Sequence, residues 1–319
     1  MFWLRLRMWI LVTTLFAFIY AMLVILGSKF LHINDFYFYL VISFVLMFIQ
    51  YLLGPKIVEW SMRVKYLKKV EYPELVKMVD DMARKAGIPA PKIGISEIDL
   101  PNAFAFGRGR SDGRVCVTRG IMRLLNEEEL RAVVGHELSH LKNRDVLTIT
   151  LLSVIPMIMY RIAWQFMFFR RRDDRGGNAV LIGLAAFLFY FITNLLVLYA
   201  SRIREYFADQ GSVALGNKPQ VMATSLYKLV YGSVRTNPES LKQVEGLKAF
   251  FVNDPSQAAK EIRELSQLDM DKSGSIDGAE LALLRSKKLK LSFADRMMEV
   301  MSTHPNMLKR IKRLSEYRV

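Results

Sequence analysis

Four stretches of the chain are almost free of charge. Met8 to Ser28 runs for 21 residues without a charged side chain, and Phe36 to Pro55 for 20. Val146 to Phe169 is apolar except for Arg161, and Gly176 to Ser201 is uncharged for 26 residues. About 20 apolar residues take a helix across the hydrocarbon core of a bilayer. The pattern predicts about four transmembrane or membrane-embedded helices, the first two closing a hairpin through Lys29 to Asp35. A secretory signal peptide would have a shorter apolar part, and a second span would not follow it so closely. Gly183, Ala185 and Ala186 suit close packing of the fourth helix.

The stretches between them are patterned differently. From Glu59 to Ala86 apolar positions recur at helical spacing, and Gly87, Pro89 and Pro91 end that helix. Short apolar runs follow at Ile93, Ile95 and Ile98, at Ala103 to Phe106 and at Val115 to Val117. Gly107-Arg-Gly109 and Asp112-Gly113 break them, which predicts a small antiparallel sheet. Asn126 with Glu129 three residues on has the spacing of a capping box at a new helix. Beyond Ser201 the chain reads as helical almost to its end.

The expected fold class is a mainly α membrane protein with a small sheet. Residues 1–55 form an N-terminal transmembrane hairpin and 146–201 a second hydrophobic hairpin. Residues 56–145 and 202–319 are two parts of one soluble domain. A composition that is 52% hydrophobic excludes a disordered or fibrous chain. The single cysteine, Cys116, excludes an internal disulfide framework and a cysteine zinc cluster.

The formal charge of +15 raises the question of partners. The basic residues are spread along the chain, with no arginine-rich tail or aromatic–basic repeat, so nucleic acid is not expected and membrane lipid is. Arg5 and Arg7, Lys56 to Lys69, Lys142 and Arg144, and Arg202 and Arg204 flank the apolar runs. By the positive-inside rule these flanks are cytoplasmic, giving a multi-pass protein of the cell membrane with its soluble parts inside. Arg170, Arg171, Arg172 and Arg175 conflict with that rule, which leaves two readings of the middle hairpin: it crosses the membrane, or it dips in without fully crossing.

One helix carries the chemistry. In Gly135-His-Glu-Leu-Ser-His140, His136 and His140 are four apart and share a helical face. That spacing lets two imidazoles reach one zinc ion at about 2.0–2.1 Å, with Glu137 beside them as a general base. A catalytic zinc needs a third protein ligand and an open position. Glu205 and Asp209, again four apart, supply a carboxylate ligand and an acceptor for the free ring N–H of His136.

These residues resemble the HtpX family of membrane zinc metallopeptidases, relatives of the CaaX prenyl endopeptidases. The matching stretches are Leu100-Pro-Asn-Ala-Phe-Ala105, Asn126-Glu-Glu-Glu-Leu130 leading into Gly135 to His140, Glu205-Tyr-Phe-Ala-Asp209 and Thr303-His-Pro305. The resemblance implies a gluzincin-like fold and hydrolysis of peptide bonds. It puts one zinc on His136, His140 and Glu205, with Glu137 as base. It also implies that the strand holding Asn102, Ala103 and Phe104 borders the cleft and pairs with substrate. His304 and Arg310 would lie near the reacting carbonyl as donors to its oxyanion. Polypeptides are the implied substrates, misfolded or damaged membrane proteins above all. A prenyl-protein processing peptidase and a calcium-responsive, non-enzymatic membrane adaptor are the competing readings.

One segment departs from the family pattern. Asp269, Asp271, Ser273, Asp277 and Glu280 occupy positions 1, 3, 5, 9 and 12 of an EF-hand loop. Ser275 offers its carbonyl at position 7, and Gly274 sits at the sharp turn of position 6. The loop is expected to take calcium, with Lys272 and Lys287 as the alternative source of compensating charge.

Overall fold

The computed structural model describes residues 36–68, 70–145, 178–234, 265–286 and 293–317, with single positions between them. Helix α1, Phe36–Ser61, covers the second apolar run. Strand β1, Val64–Tyr66, follows, and then helix α2, Pro73–Ala86. The helix expected from Glu59 to Ala86 is therefore broken. A residue before proline avoids the helical region, and Tyr72 takes φ 52° ahead of Pro73, which opens α2. Gly87 ends α2 as expected, in the left-handed region at φ 69°.

Strands β2, Lys92–Ser96, β3, Ala103–Gly107, and β4, Gly113–Thr118, complete a four-stranded sheet ordered β1-β2-β4-β3. The sheet is mixed, which corrects the antiparallel expectation: β2 and β4 pair in parallel, Ile95 against Val117. The β3–β4 hairpin and the β1–β2 pair are antiparallel. The chain crosses over between β2 and β3, so β4 enters beside β2 and β3 is left at the margin. Every residue of β4 is buried, as in strands covered on both faces. Ile95, Ala103, Val115 and Val117 face the main core, while Phe104, Phe106 and Cys116 pack with Val58, Met62 and Leu100.

Helix α3, Arg119–Leu124, leads into α4, Glu127–Lys142. The Asn126 side chain accepts from Glu129 N–H, and Glu129 accepts from Asn126 N–H, so the capping box is formed. Helix α5 runs unbroken from Asn178 to Ala214, about 55 Å at 1.5 Å per residue. Helices α6, Pro219–Val234, α7, Gly278–Ser286, α8, Phe293–Val300, and α9, Met307–Leu314, follow. The main core is built from α2, one face of the sheet, α4, α6, α7 and α9.

Two units share the chain: Met1–Leu53 with Leu147–Ala200, and Gly54–Val146 with Ser201–Val319. Among the described residues, the segment Leu181–Ala214 is long and apolar enough to cross a membrane. Leu181, Leu184, Phe187 and Leu188 on it are exposed, a surface that water does not favour. The apolar run at 8–28 lies outside the described residues, and so does 146–169 apart from single positions.

Candidate active site

The site is assembled where α4 crosses α5, and small residues let the helices approach. A Cβ added to Gly211 would lie 2.6 Å from Ser139 Cβ and closer still to its Oγ. A Cβ added to Gly135 would meet Asn217 Nδ2 at 2.6 Å and Met82 Cε at 2.7 Å. Ser212 ties the crossing by donating to the Ala132 carbonyl at 2.6 Å. This close packing brings Glu205 of α5 against His136 and His140 of α4.

The three side chains converge. His136 Nε2 and His140 Nε2 are 3.1 Å apart. Glu205 Oε2 is 3.4 Å from the first ring nitrogen, and Oε1 is 3.5 Å from the second. Ligands about 2.0–2.1 Å from a tetrahedral ion stand about 3.3–3.4 Å from one another, so this spacing suits one small cation. The charge distribution asks for one. His136 Nδ1 lies 2.9 Å from Asp209 Oδ1, and His140 Nδ1 lies 2.8 Å from Asp145 Oδ2. When both rings are neutral and protonated at Nδ1, each turns an Nε2 lone pair toward the other and toward the carboxylate. Burial alone would lower the His136 pKa. Hydrogen bonding to Asp209 and Glu205 outweighs it and raises the value to about 9, so the pocket takes a positive charge readily.

Glu137 is also buried, and burial raises its pKa above the ordinary carboxylate value, against the pull of His140 and His136. Its carboxylate accepts a hydrogen bond from the Ala105 backbone N–H of β3. That bond holds the acid at the sheet margin, while burial keeps its proton affinity raised.

The remaining sequence candidates fall in two places. His304 is buried with Nε2 3.9 Å from Glu205 Oε1, and its Nδ1 is 2.9 Å from Thr303 Oγ1. Arg310, expected near the reacting carbonyl, is wholly buried against the carboxylates of Asp209 and Glu205. Its Nε and Nη2 donate to Asp209 at 2.9 and 2.7 Å, and Nη1 donates to the Val252 carbonyl at 2.6 Å and faces Glu205 at 3.2 Å. A guanidinium out of water is held by paired acceptors, and these occupy all three of its nitrogens. Asn102, Ala103 and Phe104 are buried too. Asn102 Oδ1 accepts from Val252 N–H at 3.0 Å, which links the strand to Arg310 through one residue. Asp145 and Arg204 were missed, since a lone acid five residues past His140 carries no sequence signal; Arg204 Nε is 3.2 Å from Asp145 Oδ1.

The 269–280 loop has its own hydrogen bonds. Asp269 accepts from Ser273 N–H, Gly274 N–H and the Tyr227 hydroxyl. Asp277 and Glu280 bond each other's backbone N–H, a reciprocal cap on α7. Thr224 of α6 bonds both backbone groups of Ile276.

Residues 69–318 match the family model described as Peptidase family M48. A Protease HtpX homolog of Methanothermobacter thermautotrophicus is 54% identical over 227 residues, 71% of this chain and 86% of that protein. The chain belongs to peptidase family M48. A second relative, the Protease HtpX homolog of Thermoplasma acidophilum, is 31% identical across 95% of this chain and 92% of its own length. The crystal structure of S. mikatae Ste24p covers 97% of this chain and 67% of its own, with a TM-score of 0.52 and 17% identity, a likeness of fold. Family membership makes the chain a protease in which the His136, His140 and Glu205 group is the metal-binding candidate.

Proposed function

We propose that the protein is a membrane-bound zinc endopeptidase, active at the cytoplasmic face, whose substrates include misfolded or damaged membrane proteins. The observation that carries this reading is the meeting of two imidazole lone pairs and a carboxylate within 3.5 Å, beside a buried acid. His136, His140 and Glu205 would hold the ion. Zinc, when bound, polarises a peptide carbonyl and makes water nucleophilic at neutral pH. Glu137 takes the proton of the attacking water on its carboxylate and delivers it to the departing amine. His304 serves as a donor to the carbonyl oxygen. Arg310 and Asp209 act through the ligands: Asp209 orients His136, and Arg310 holds Asp209 and Glu205 in place. An extended substrate pairs with the backbone of β3, the marginal strand next to Glu137.

The apolar α5 and the basic flanks of the apolar runs support the membrane setting and the cytoplasmic side. The test is digestion of an unfolded membrane protein by the full chain in detergent, with metal analysis. Activity that needs stoichiometric zinc, stops with chelator and is absent from Glu137→Gln supports the reading. Hydrolysis by a zinc-free preparation would overturn it.

Calcium in the 269–280 loop is proposed separately, on the twelve-residue motif and on Asp269, Asp271 and Glu280 oxygens lying within 4.8 Å of one another. Calorimetry on the full chain should show calcium heat that Glu280→Gln abolishes. No heat at millimolar calcium would leave these acids to the hydrogen bonds already described.

A further inference from the structure

His136 and His140 each lean on a buried carboxylate, and each of those carboxylates on an arginine. The first chain is His136 Nδ1 to Asp209 to Arg310, at 2.9 Å and then 2.7 and 2.9 Å. The second is His140 Nδ1 to Asp145 to Arg204, at 2.8 and then 3.2 Å. Of these contacts only that of His136 with Asp209 was legible in the sequence, where Asp209 shares a helical face with Glu205.

Asp145 reaches His140 by an irregular path. Helix α4 ends at Lys142, Asn143 caps it, and Arg144 adopts φ 58°. That left-handed residue turns the chain back beneath the last turn, as at many helix C-termini, though without a glycine to ease it. One local cost, the left-handed Arg144, is thus accepted to place a carboxylate against His140 Nδ1. The arginine is part of the arrangement. Arg204 is nearly buried, one residue before Glu205, and Asp145 Oδ1 is the carboxylate oxygen facing its Nε.

We infer that Asp145, backed by Arg204, is a positioning residue of the metal site, fixing the tautomer and ring orientation of His140 as Asp209 does for His136. By accepting the Nδ1 proton, Asp145 leaves Nε2 as the electron pair that faces His136 and Glu205. A carboxylate there also makes the ring a stronger donor to a cation. The inference rests on the zinc reading.

The experiment measures zinc affinity of the full chain in detergent by competition with a chromophoric chelator, together with the visible spectrum of the cobalt-substituted protein. Asp145→Ala should weaken zinc binding roughly 10–100-fold and alter the cobalt bands. Because removing Asp145 strands a nearly buried arginine, the double variant Asp145→Ala/Arg204→Gln is measured too. It should regain thermal stability while its zinc affinity stays low. Parent-like affinity in Asp145→Ala, or affinity restored along with stability in the double variant, would overturn the inference by making Asp145 a partner of Arg204 alone. A parent protein that binds no zinc, or binds it unchanged after His140→Ala, would sink the zinc reading itself, a different result from either.

Discussion

The crossing of α4 and α5 can be tested with one methyl group. In Gly211→Ala the new carbon would stand 2.6 Å from Ser139 Cβ. Carbon atoms settle about 3.5–4.0 Å apart, so the helices must part locally by about 1 Å. Rotating Ser139 cannot relieve the clash, because its Cβ is already too near. Overpacking of this kind costs about 1–3 kcal/mol, and the helix preference of alanine over glycine returns about 0.5–1. A net loss of about 1–2 kcal/mol is expected. Activity should suffer more than stability, since Glu205 and Asp209 lie on the displaced helix and a misplacement of 1 Å costs on the order of 10²-fold in rate. Ser139→Gly in the same chain removes both offending atoms and leaves Ser139 Cα at 3.9 Å, an ordinary contact. The double variant should recover most of the rate. It should recover less of the stability, because it loses the Ser139 hydroxyl bond to the Gly135 carbonyl and gains a helical glycine. Peptidase rate, zinc content and thermal midpoint of the three proteins decide the matter. Full activity in Gly211→Ala, or no recovery in the double variant, would refute the reasoning.

Four further outcomes are expected. Glu137→Gln should retain zinc and lose turnover by several orders of magnitude, read by metal analysis beside single-turnover assays. Zinc affinity should rise with pH up to about 9: below that value His136 holds a proton the metal must displace, and above it none remains to displace, as chelator competition from pH 6 to 10 would show. Arg310→Met should cost about 3–5 kcal/mol in denaturant unfolding, because Asp209 and Glu205 would stay buried without their cation. Burial pushes the Cys116 thiol up and hides it between β4 and its packing partners, so alkylating reagents at pH 8 should label it at the rate of unfolding.

What the amino-acid order settled was local. His136 and His140, like Glu205 and Asp209, are one helical turn apart, and a helix presents such pairs together wherever it packs. The Asn126 capping box and the Gly87 terminus close within a few residues of themselves. The runs now seen as α1 and α5 declared their helices by length and lack of charge. Tertiary structure decided whatever depends on distant partners. The break before α2 went unread because periodicity continues across residues 62–72, although β2 takes three of them, β1, into its ladder. The parallel pairing of β2 with β4 follows from where the crossover returns, which strand pattern alone leaves open. The resemblance places Arg310 near the reacting carbonyl, but nothing in the sequence pairs it with Asp209, 101 residues earlier, against which it is buried. Asp145 gains its place from a left-handed turn at Arg144, and the closeness of the two helices comes from Gly211 meeting Ser139. Periodicity reports which face a residue occupies. Only packing chooses what stands opposite, and for a buried charge that choice sets whether it binds, holds or waits for a proton.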